Sequence, residues 1–510
     1  MRIARHPYAV LSQAEVELIH RSALRILAKM GMEVQHHGLL EALAGFGLPV
    51  DFAAQRVRFP AAWVERFLAE AEKFDWENVQ PRVSGTAGVY HGLYHDPVSG
   101  DLLPWTKERL AFYFALARAL EQVDGASMLG CLLPVPTLLE PLYERYYCWK
   151  YGGHEGGSIL LDEVCPYLLD LYQVWADARG VPLAQVFQAA VYVVPPLKLG
   201  RHEAYQVAYF RERGLRVHIG GGMPSMGATA PVTLAGAVTL NLAEQLALRL
   251  LAWALFGDKR LSLGGSISVM DMRTGIRPFG RPEMALANVM MAQLARHYGA
   301  FFTGHGGLSD AKLPSVEAGA QKMLTAIPTL MAGGNLWVDV GLLSIDQVFS
   351  PVQMALDNEM LRALQHLARA FEVSDETIGL ETIFEAGPGG HFLDKLHTVR
   401  HLRSEHWQPE LWSRLMLRPW MEAGARLDVD RARAIALEVQ RRDVVLPGAF
   451  HRRPLARGAL SSHRRQPLHL DHRFSACRTG CLAVGLPEAA RKGGRRRDQR
   501  ELHLGAVPHV

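Results

Sequence analysis

The sequence predicts an α/β protein built on a (β/α)8 TIM barrel, with an N-terminal helical and hairpin extension and a disordered C-terminal tail. Strand-like runs alternate with helix-like runs eight times beyond Gly125. The eight units cover roughly 280 residues, which suits such a barrel. Apolar periodicity ends near Asp443, so the tail is expected to have no core. A doubly wound parallel sheet shows the same alternation and is the alternative fold.

The extension is expected to span residues 1–122 and the barrel domain residues 123–443. Within the extension, Glu15–Lys29 and Ala61–Ala71 have the apolar spacing of helices. Val89–Trp105 alternates in polarity around a turn at residues 96–100, which predicts a hairpin.

The barrel domain is predicted from its alternating runs. The strand-like runs are Ser127–Val135, Ser158–Leu161, Gln188–Val194, Arg216–Ile219, Leu261–Ile267, Ala300–Thr303, Leu336–Leu343 and Gly379–Phe384. The helical patterns between them are Leu138–Lys150, Pro166–Ala178, His202–Gly214, Val232–Phe256, Pro282–Tyr298, Val316–Leu330 and Pro351–Phe371.

Residues 444–510 form the predicted tail, which is basic and of low order. Residues 447–510 contain 13 Lys or Arg and 4 Asp or Glu, a net charge of +9, whereas the whole chain carries +4. The rest of the chain is therefore at −5, which gives no electrostatic support for binding nucleic acid or a membrane surface. Cys477 and Cys481 lie among histidines but lack a second ligand pair at zinc spacing. The composition is typical of a GC-rich gene translated in another frame, so we interpret this end as frameshifted.

Three further observations favour a reducing cytoplasm as the location. The five cysteines have no regular spacing, which argues against a disulfide framework. The N-terminus lacks the apolar stretch of a secretory signal. Polar residues about a helical turn apart interrupt the longest apolar run, Val232–Phe256, so a buried helix is favoured over a membrane span.

A glycine-rich loop follows the fourth predicted strand. Gly220, Gly221 and Gly222 give this loop freedom to adopt positive φ and to approach a ligand closely. Thr229 and Pro231 resemble a helix N-cap and an early helical proline. The loop is therefore interpreted as the floor of a ligand site, with a simple strand-to-helix turn as the alternative.

In a barrel, the loops that follow the strands form the active face. Asp271 with Arg273, and Asp310 with Lys312, could neutralise each other, but the whole set converges on one face. His91 and His95 belong to the hairpin and are interpreted as surface residues. The polar residues that follow predicted strands are Ser266, Asp271, Arg273, His305, Ser309, Asp310, Lys312, Ser344, Asp346, Glu385 and His391.

Aromatic residues lie in or beside three of the predicted strands. Most of them are expected in the core, but one or two could face a bound quaternary ammonium, which cannot donate a hydrogen bond and is held by cation–π contact and a carboxylate. These aromatic residues are Tyr192, Phe301, Phe302, Trp337 and Phe349.

Four segments carry a resemblance to a known family: Met226–Ala237 (MGATAPVTLAGA), Asp271–Gly275 (DMRTG), Gly307–Lys312 (GLSDAK) and Gly387–Leu393 (GPGGHFL). From about residue 6 to about residue 440 the chain resembles the trimethylamine methyltransferase family. The resemblance implies a (β/α)8 barrel that transfers a methyl group from a methylamine to Co(I) of a separate corrinoid protein, which docks over the barrel mouth.

The resemblance also bears on the substrate. The founding trimethylamine enzymes carry pyrrolysine late in the barrel, whereas this chain has only standard residues; the equivalent position is placed around Leu343–Asp346. A quaternary ammonium releases a neutral tertiary amine without help, whereas a tertiary amine needs prior protonation or an adduct. We therefore expect a quaternary amine, with glycine betaine first among the candidates, and no protein nucleophile.

The expected site follows from these assignments. The residues expected to contact substrate are His305, Asp310, Trp337, Phe302, Ser344, Glu385 and His391. The residues expected to face the cobalamin, carried by the partner protein, are Gly220, Gly221, Gly222, Asp271 and Arg273. No catalytic side chain and no metal ligand is assigned, and a homo-oligomer is left open.

Two other functions remain open at this point. One is a barrel enzyme of different chemistry, with a Schiff base on Lys312 or an Asp or Glu general base. The other is a scaffold that docks a corrinoid or regulatory protein without catalysis.

Overall fold

The computed structural model describes residues 7–78, 82–155, 157–369 and 371–443. The predicted tail, with Cys477 and Cys481, lies outside these residues. The α-helices are α1 (Gln13–Lys29), α2 (His37–Phe46), α3 (Ala61–Glu70), α4 (Lys107–Ala119), α5 (Glu140–Tyr151), α6 (Cys165–Arg179), α7 (Leu183–Val186), α8 (Arg201–Arg211), α9 (Leu234–Phe256), α10 (Pro282–Tyr298), α11 (Val316–Met331), α12 (Pro351–Leu367), α13 (Asp375–Ile378), α14 (Leu380–Ala386), α15 (Leu396–Glu405), α16 (Leu417–Glu422) and α17 (Asp428–Asp443).

The strands are short, and most of them end where a loop leads into a helix. They are β1 (Met32–Val34), β2 (Val50–Asp51), β3 (Arg56–Val57), β4 (Val83–Val89), β5 (Leu93–His95), β6 (Leu102–Leu103), β7 (Val123–Met128), β8 (His154–Glu155), β9 (Ala190–Tyr192), β10 (Lys198–Leu199), β11 (His218–Gly220), β12 (Ser225–Met226), β13 (Ser262–Gly265), β14 (Ser268–Val269), β15 (Phe301–Gly306), β16 (Asn335–Asp339), β17 (Leu342–Leu343) and β18 (Val348–Phe349).

The predicted N-terminal helices and hairpin are confirmed, whereas residues 83–89 of the predicted extension form strand β4 of the central sheet. Helix α1 begins with a capping box in which Ser12 and Glu15 bond each other's backbone N–H groups. Helix α3 occupies the second predicted helical segment. Strands β5 and β6 pair in antiparallel register around the predicted turn, so the hairpin is present.

The centre of the protein is a curled parallel sheet with the strand order β13-β15-β16-β4-β7-β8. Strands β9 and β11 form a second parallel pair, and a parallel bridge between Ser158 and Ala190 leads from the end of the first sheet to β9. The late strand β16 pairs with the early strand β4, so the sheet curves back toward its beginning. A mixed α/β fold with a curled parallel sheet is thereby observed, whereas a complete eight-stranded barrel is not.

The sheet is interrupted between β11 and β13, where helix α9 supplies side chains to the strand edges. The side-chain amide of Gln245 accepts from the Gly264 N–H at 2.6 Å and donates to the Gly264 carbonyl at 2.8 Å. The guanidinium of Arg249 donates to the Ile219 carbonyl and to the Ser262 hydroxyl. These contacts satisfy backbone groups that a neighbouring strand would otherwise pair.

Helix α9 is one of the most buried elements of the protein. It is the single helix in the described ranges that is long and apolar enough to cross a membrane, but most of its length is buried inside the protein. It packs against α1, α2, α3 and α10. This burial supports the interpretation of the long apolar run as a core helix.

Three of the predicted strands require correction. The first barrel strand is predicted at Ser127–Val135, but β4 precedes this run and lies in the middle of the six-stranded sheet. The predicted strand Ser158–Leu161 contains only an isolated bridge at Ser158. The eighth predicted strand, Gly379–Phe384, is wrong: helix α14 begins at Leu380. Its apolar residues Leu380, Ile383 and Phe384 are three and four positions apart, which is the spacing of a helix.

Candidate active site

His305 and Asp339 form the centre of a polar cluster at the carboxyl ends of two neighbouring strands. His305 lies on β15 and Asp339 ends β16, and these strands pair in parallel. Nε2 of His305 is 2.6 Å from Oδ2 of Asp339, and both side chains are almost fully enclosed. Burial lowers the pKa of His305, but the charge and hydrogen bond of Asp339 outweigh it and raise the pKa overall. The arrangement therefore favours an imidazolium paired with a carboxylate.

Trp337 provides an aromatic wall beside this pair. Its ring stacks on the His305 ring with centroids 4.4 Å apart and planes 14° from parallel. Trp337 and Asp339 are two residues apart on β16 and so lie on the same face of the sheet. The second carboxylate oxygen of Asp339, Oδ1, is buried and accepts no hydrogen bond from any described residue.

Asp346 adds a second carboxylate to the cluster. It ends three successive residues with positive φ, Ser344 (53°), Ile345 (56°) and Asp346 (66°), a costly conformation for side chains other than glycine. Burial, with a contribution from the Asp339 charge, raises the pKa of Asp346 to about 7. His305 and Arg277 oppose this shift. The strained turn therefore holds a carboxyl group that titrates near neutral pH.

Tyr90 and Tyr192 lie at the carboxyl ends of two other strands. Tyr90 follows β4 and Tyr192 ends β9. The two residues are 45% and 49% exposed, and Tyr192 acts electrostatically on Tyr90. Burial, and then the charges of Asp346 and Asp339, raise the pKa of Tyr90, so its phenol stays neutral.

A buried lysine fixes the ends of the two strands that carry the pair. The ammonium of Lys322 donates to the backbone carbonyls of Gly307 and Asp339 at 3.0 and 2.9 Å, and to Oδ2 of Asp357 at 2.9 Å. Asp357 also accepts from the Gly341 N–H. Lys322 is fully buried, and it joins β15, β16 and helix α12 in one network.

The glycine loop lies next to Tyr192. A Cβ at Gly220 would meet the Tyr192 ring at 2.7 Å, and one at Gly222 would meet Pro195 at 2.3 Å. None of the three glycines has positive φ, so close approach rather than left-handed backbone explains them. Beneath the loop, Glu244 is buried and accepts the Leu197 N–H at 2.9 Å. Burial raises the pKa of Glu244, and backbone N–H groups of Leu197 and Gly222 oppose the shift.

The helix start predicted after this loop is displaced. Helix α9 has Thr233 rather than Thr229 as its N-cap residue. The Thr229 hydroxyl instead accepts from the Ser225 N–H at 2.8 Å within the loop. The threonine therefore closes a turn and does not cap the helix.

Other predicted substrate residues have structural partners. Oδ1 of Asp310 accepts the Phe279 N–H at 2.5 Å, and burial raises the pKa of Asp310. Ser344 is buried in the turn that leads to Asp346. Phe302 is fully buried, and its ring lies where a Cβ at Gly334 would be. Since Phe302 and His305 are three residues apart on β15, they lie on opposite faces of the sheet.

Asp271 and Arg273, expected to face the corrinoid, form an exposed turn. The Arg273 N–H donates to Oδ1 of Asp271 at 2.9 Å, which lowers the pKa of that carboxyl. This turn lies against the segment Met226–Ala237, because a Cβ at Gly227 would meet Cε of Met272 at 2.4 Å. Two of the segments that carry the family resemblance therefore lie side by side.

The structure gives Glu385 and His391 partners other than the His305 pair. Glu385 belongs to α14 and lies 3.8 Å from the Lys395 ammonium. His391 lies 3.5 Å from Asp394, and its side chain is 68% exposed. Their expected position rested on the eighth strand, which is helical, so this basis for placing them at the strand ends is wrong.

The two hairpin histidines differ from each other. His95 is buried and its Nδ1 lies 2.8 Å from the Ser350 hydroxyl, so its interpretation as a surface residue is wrong. His91 is exposed, and it lies 2.9 Å from the Glu140 carboxylate. The small strand that contains His95 pairs with β18, which explains its burial.

Sequence reasoning missed two residues of the cluster. Asp339 ends a strand that was predicted too long, so its position at the edge was hidden. Tyr90 follows β4, which was not recognised as part of the central sheet. In the described part of the chain, no three His, Cys, Asp or Glu side chains are grouped as ligands for a metal ion.

Comparison with known proteins identifies relatives over most of the chain. A family model described as trimethylamine methyltransferase (MTTB) matches residues 173–442. The trimethylamine methyltransferase MttB of Desulfitobacterium hafniense is 27% identical over 453 residues, which cover 84% of this chain and 89% of the relative.

Two further relatives match different shares of this chain. The trimethylamine methyltransferase MttB1 of Methanosarcina acetivorans is 30% identical over 271 residues, 53% of this chain and 54% of that protein. A glycine betaine methyltransferase of Desulfitobacterium hafniense strain Y51 is 26% identical over 432 residues, 81% of this chain and 88% of the relative. The similarity therefore extends to two enzymes whose names give different methyl donors.

Proposed function

The chain belongs to the trimethylamine methyltransferase family and is a methyltransferase, and we propose that it moves a methyl group from a quaternary amine of the glycine betaine type to Co(I) of a corrinoid protein. The observation that carries the choice of donor is the cluster of Asp339, Asp346, Tyr90 and Trp337. It combines aromatic walls with carboxylates at the ends of the strands.

The cluster suits a cation that has no proton to donate. Asp339 has one carboxylate oxygen, Oδ1, that is buried and without a hydrogen-bond donor among the described residues. A quaternary ammonium would be attracted through space to the carboxylates of Asp339 and Asp346, and aromatic faces add on the order of 1 kcal/mol each.

The reaction requires little acid–base chemistry from the protein. In-line displacement at a methyl carbon breaks the C–N bond, and the nitrogen leaves with the electron pair as a neutral tertiary amine. The corrinoid supplies the Co(I) nucleophile when its carrier protein is docked. The residues of this chain bind and orient the ammonium and keep water away from the methyl group.

The exposure of two tyrosines at the ends of the strands fits an acceptor carried by another protein. Tyr90 and Tyr192 are half exposed, so a second protein could reach this end of the sheet. Arg277 acts electrostatically on both Tyr90 and Asp346. We assign this guanidinium to the carboxylate of a betaine-type substrate, which would orient the ammonium toward the aromatic residues.

The test is a substrate screen with purified protein and Co(I) cobalamin. Glycine betaine is the first donor, carnitine and proline betaine are the next, and methylation is followed by the change in visible absorbance. We expect turnover of a quaternary amine and none of trimethylamine. Robust turnover of trimethylamine with none of any quaternary amine would contradict the proposed donor.

The His305–Asp339 pair also supports one alternative activity. A histidine oriented by a carboxylate is a common general base, so the neutral form of His305 could remove a proton from a carbon or oxygen acid. This chemistry needs no corrinoid, and turnover without cobalamin would favour it. The ε-amine of Lys312 donates to the Asp310 carbonyl and is partly exposed, which gives no support for a Schiff base there.

The alternative function, a scaffold without catalysis, predicts a different experimental result. A protein that only docks a corrinoid carrier would bind it without demethylating any amine. Binding of the carrier combined with no methyl transfer from any donor in the screen would favour that function. The pairing of two carboxylates with aromatic residues supports catalysis over docking alone.

A further inference from the structure

A cavity of about 300 Å³, called here the amino-end cavity, lies where the parallel strands begin. Three polar residues of its lining each stand two positions before a strand: Gln188 before β9, Arg216 before β11 and Arg260 before β13. His218, the first residue of β11, also lines it. The proposed ammonium site is at the carboxyl ends of the strands, so the two sites lie at opposite ends of the sheet. None of the residues assigned above to the amine or to the corrinoid lines this cavity.

Three guanidinium groups and one buried carboxylate form a charged cluster beside the amino-end cavity. Asp258 accepts from Nε and Nη2 of Arg260 at 3.0 and 3.2 Å, and it also contacts Arg216. Arg249 of helix α9 is the third cation, and burial, followed by the charges of Arg260 and Arg216, lowers its pKa to about 10. Even with Glu155, the acidic residue of the lining, three positive charges face two negative ones. The cluster therefore keeps an excess of positive charge.

Some hydrogen-bond donors of this cluster have no acceptor. Nε of Arg249 is buried and has no partner among the described residues. Asp258 engages Nε and Nη2 of Arg260, and no described residue accepts from Nη1 of that guanidinium. A guanidinium carries five N–H donors in a planar fork, which matches two oxygen atoms of one anion. The unpaired donors and the excess charge both favour an anionic ligand with more than one oxygen atom.

His218 is exposed to the same positive charges. Burial, followed by the charges of Arg249, Arg216 and Arg260, lowers its pKa to about 4, so the imidazole is neutral at pH 7. An anion that offsets the guanidinium charges would raise this pKa again. The histidine therefore reports on the occupancy of the cavity.

From the cavity, the excess charge and the unpaired donors, we propose that the amino-end cavity binds a small oxyanion, a carboxylate or a phosphate group, between Arg216 and Arg260. The volume is at the lower end of the range for ligand pockets, which suits a small molecule. The central sheet is interrupted between β11 and β13, and these two arginines stand before those strands. A bound oxyanion adds to Asp258 as a link between the strand ends, so it stabilises the folded protein.

The test measures thermal unfolding of the full chain with inorganic phosphate, at an ionic strength kept constant with chloride. We expect the wild-type Tm to rise saturably, by about 2 °C or more at about 10 mM phosphate. Arg260→Gln should raise the Kd for phosphate about tenfold or more, because it removes a charged donor. Arg21→Gln is the matched control and should keep the wild-type Kd, since the side chains of Arg21 and Arg260 are each 62% exposed.

Acetate is the second probe, and it distinguishes a carboxylate from a phosphate group as the preferred ligand. Saturable binding of either anion that weakens in Arg260→Gln supports the proposal. A wild type that binds neither, an equal effect of chloride, or a Kd that Arg260→Gln leaves unchanged overturns it.

A second measurement covers the case in which Arg260→Gln fails to fold. In wild-type protein with ¹³C-labelled histidine, NMR titration should show that saturating phosphate or acetate raises the pKa of His218 from about 4 toward its ordinary value. His218→Gln identifies the resonance. His297, whose pKa is also lowered by burial, is the internal control and should not respond. A His218 pKa that neither anion changes overturns the proposal.

Discussion

Asp339 is the side chain on which the proposed ammonium site depends most directly. Its Oδ2 holds His305 and its Oδ1 has no hydrogen-bond donor in the described part of the chain. Asp339→Asn keeps the shape of the side chain but removes the charge that balances the substrate. We expect kcat/KM for the quaternary amine to fall ten- to a hundredfold, about 1–3 kcal/mol.

Steady-state kinetics with Co(I) cobalamin would measure this loss. The matched control is Asp101→Asn in the exposed hairpin, which should leave kcat/KM within a factor of two, an expectation of roughly 0.5 kcal/mol for surface changes. Equal activity of Asp339→Asn and the control would remove Asp339 from the site. Circular dichroism of both variants separates a loss of activity from a loss of fold.

The carboxyl of Asp346 gives the site a pH dependence. Since burial raises its pKa to about 7, the group is protonated at pH 6 and ionised at pH 8. A cationic substrate binds the ionised form better, so its affinity should rise with pH through this range. Calorimetric titration at pH 6, 7 and 8 measures the change, and Asp346→Asn should flatten it. A wild-type affinity that does not change with pH would exclude Asp346 from the substrate's charge balance.

The raised pKa of Asp346 has the opposite effect on the stability of the folded protein, which should fall as pH rises. The unfolded chain ionises Asp346 near pH 4, whereas the folded protein retains the proton to about pH 7. Between these values the folded state binds more protons, so its stability falls as pH rises. Asp346→Asn should therefore raise the melting temperature more at pH 8 than at pH 5. This comparison needs no substrate.

The buried network around Lys322 is expected to contribute to the free energy of unfolding. Lys322 is fully buried, and its ammonium has three partners, including Asp357. Lys322→Met leaves Asp357 as an unpaired buried charge, which should lower the free energy of unfolding by about 3–5 kcal/mol. Urea denaturation measures this loss, and the double variant Lys322→Met/Asp357→Leu should recover part of it. Unchanged stability of the single variant would contradict the network.

The glycine loop offers a comparison between two adjacent positions. A Cβ at Gly222 would lie 2.3 Å from Pro195 and 2.6 Å from the Val193 carbonyl, whereas the nearest atom to one at Gly221 lies 3.7 Å away. Gly222→Ala must therefore shift backbone, and we expect it to cost about 1–3 kcal/mol of stability. Gly221→Ala has room and should be nearly neutral. Thermal unfolding of the two variants measures the difference, and equal melting temperatures would show that the loop is loosely packed.

The elements that could be predicted from the sequence are those with a strong local pattern. Long amphipathic helices and the apolar strands β13 and β15 were located because their periodicity is set by nearby residues. Strand β4, in contrast, reads Val-Ser-Gly-Thr-Ala-Gly-Val. Its small residues are required by packing, since a Cβ at Gly85 would meet Leu361 at 2.2 Å. That requirement comes from a helix far along the chain and leaves no local apolar signal.

The sequence predicted only part of the site, because the missed residues also depend on contacts between distant parts of the chain. The sequence indicated His305 and Asp346 because they follow predicted strands, and Trp337 because it is an aromatic residue within one. The pairing of His305 with Asp339 and the position of Tyr90 depend on the order of strands in the sheet, which pairs β15 with β16 and β16 with β4. Strand order is a long-range property, so composition and spacing did not show it.

The arrangement of the sheet connects these local features. Six parallel strands place His305, Asp339 and Tyr90 at one edge, and helix α9 occupies the interruption between β11 and β13. Gln245 and Arg249 act there as substitutes for a neighbouring strand. Helix α9, whose Glu244 lies beneath the glycine loop, therefore also provides hydrogen-bond partners for backbone groups at the edges of the sheet.

The C-terminal residues 444–510 provide the last prediction. The family model ends at residue 442, helix α17 ends at Asp443, and the basic composition begins at the same place. A chain that ends at Asp443 should melt within a few degrees of the full chain, because the sequence of this segment predicts no core and so few buried contacts should be lost. Differential scanning calorimetry of both chains measures this, and methyl transfer should also be retained. A fall of about 10 °C or more would show that the segment packs on the folded protein, and the absence of any family-like terminus in the other reading frames of the gene would remove the frameshift interpretation.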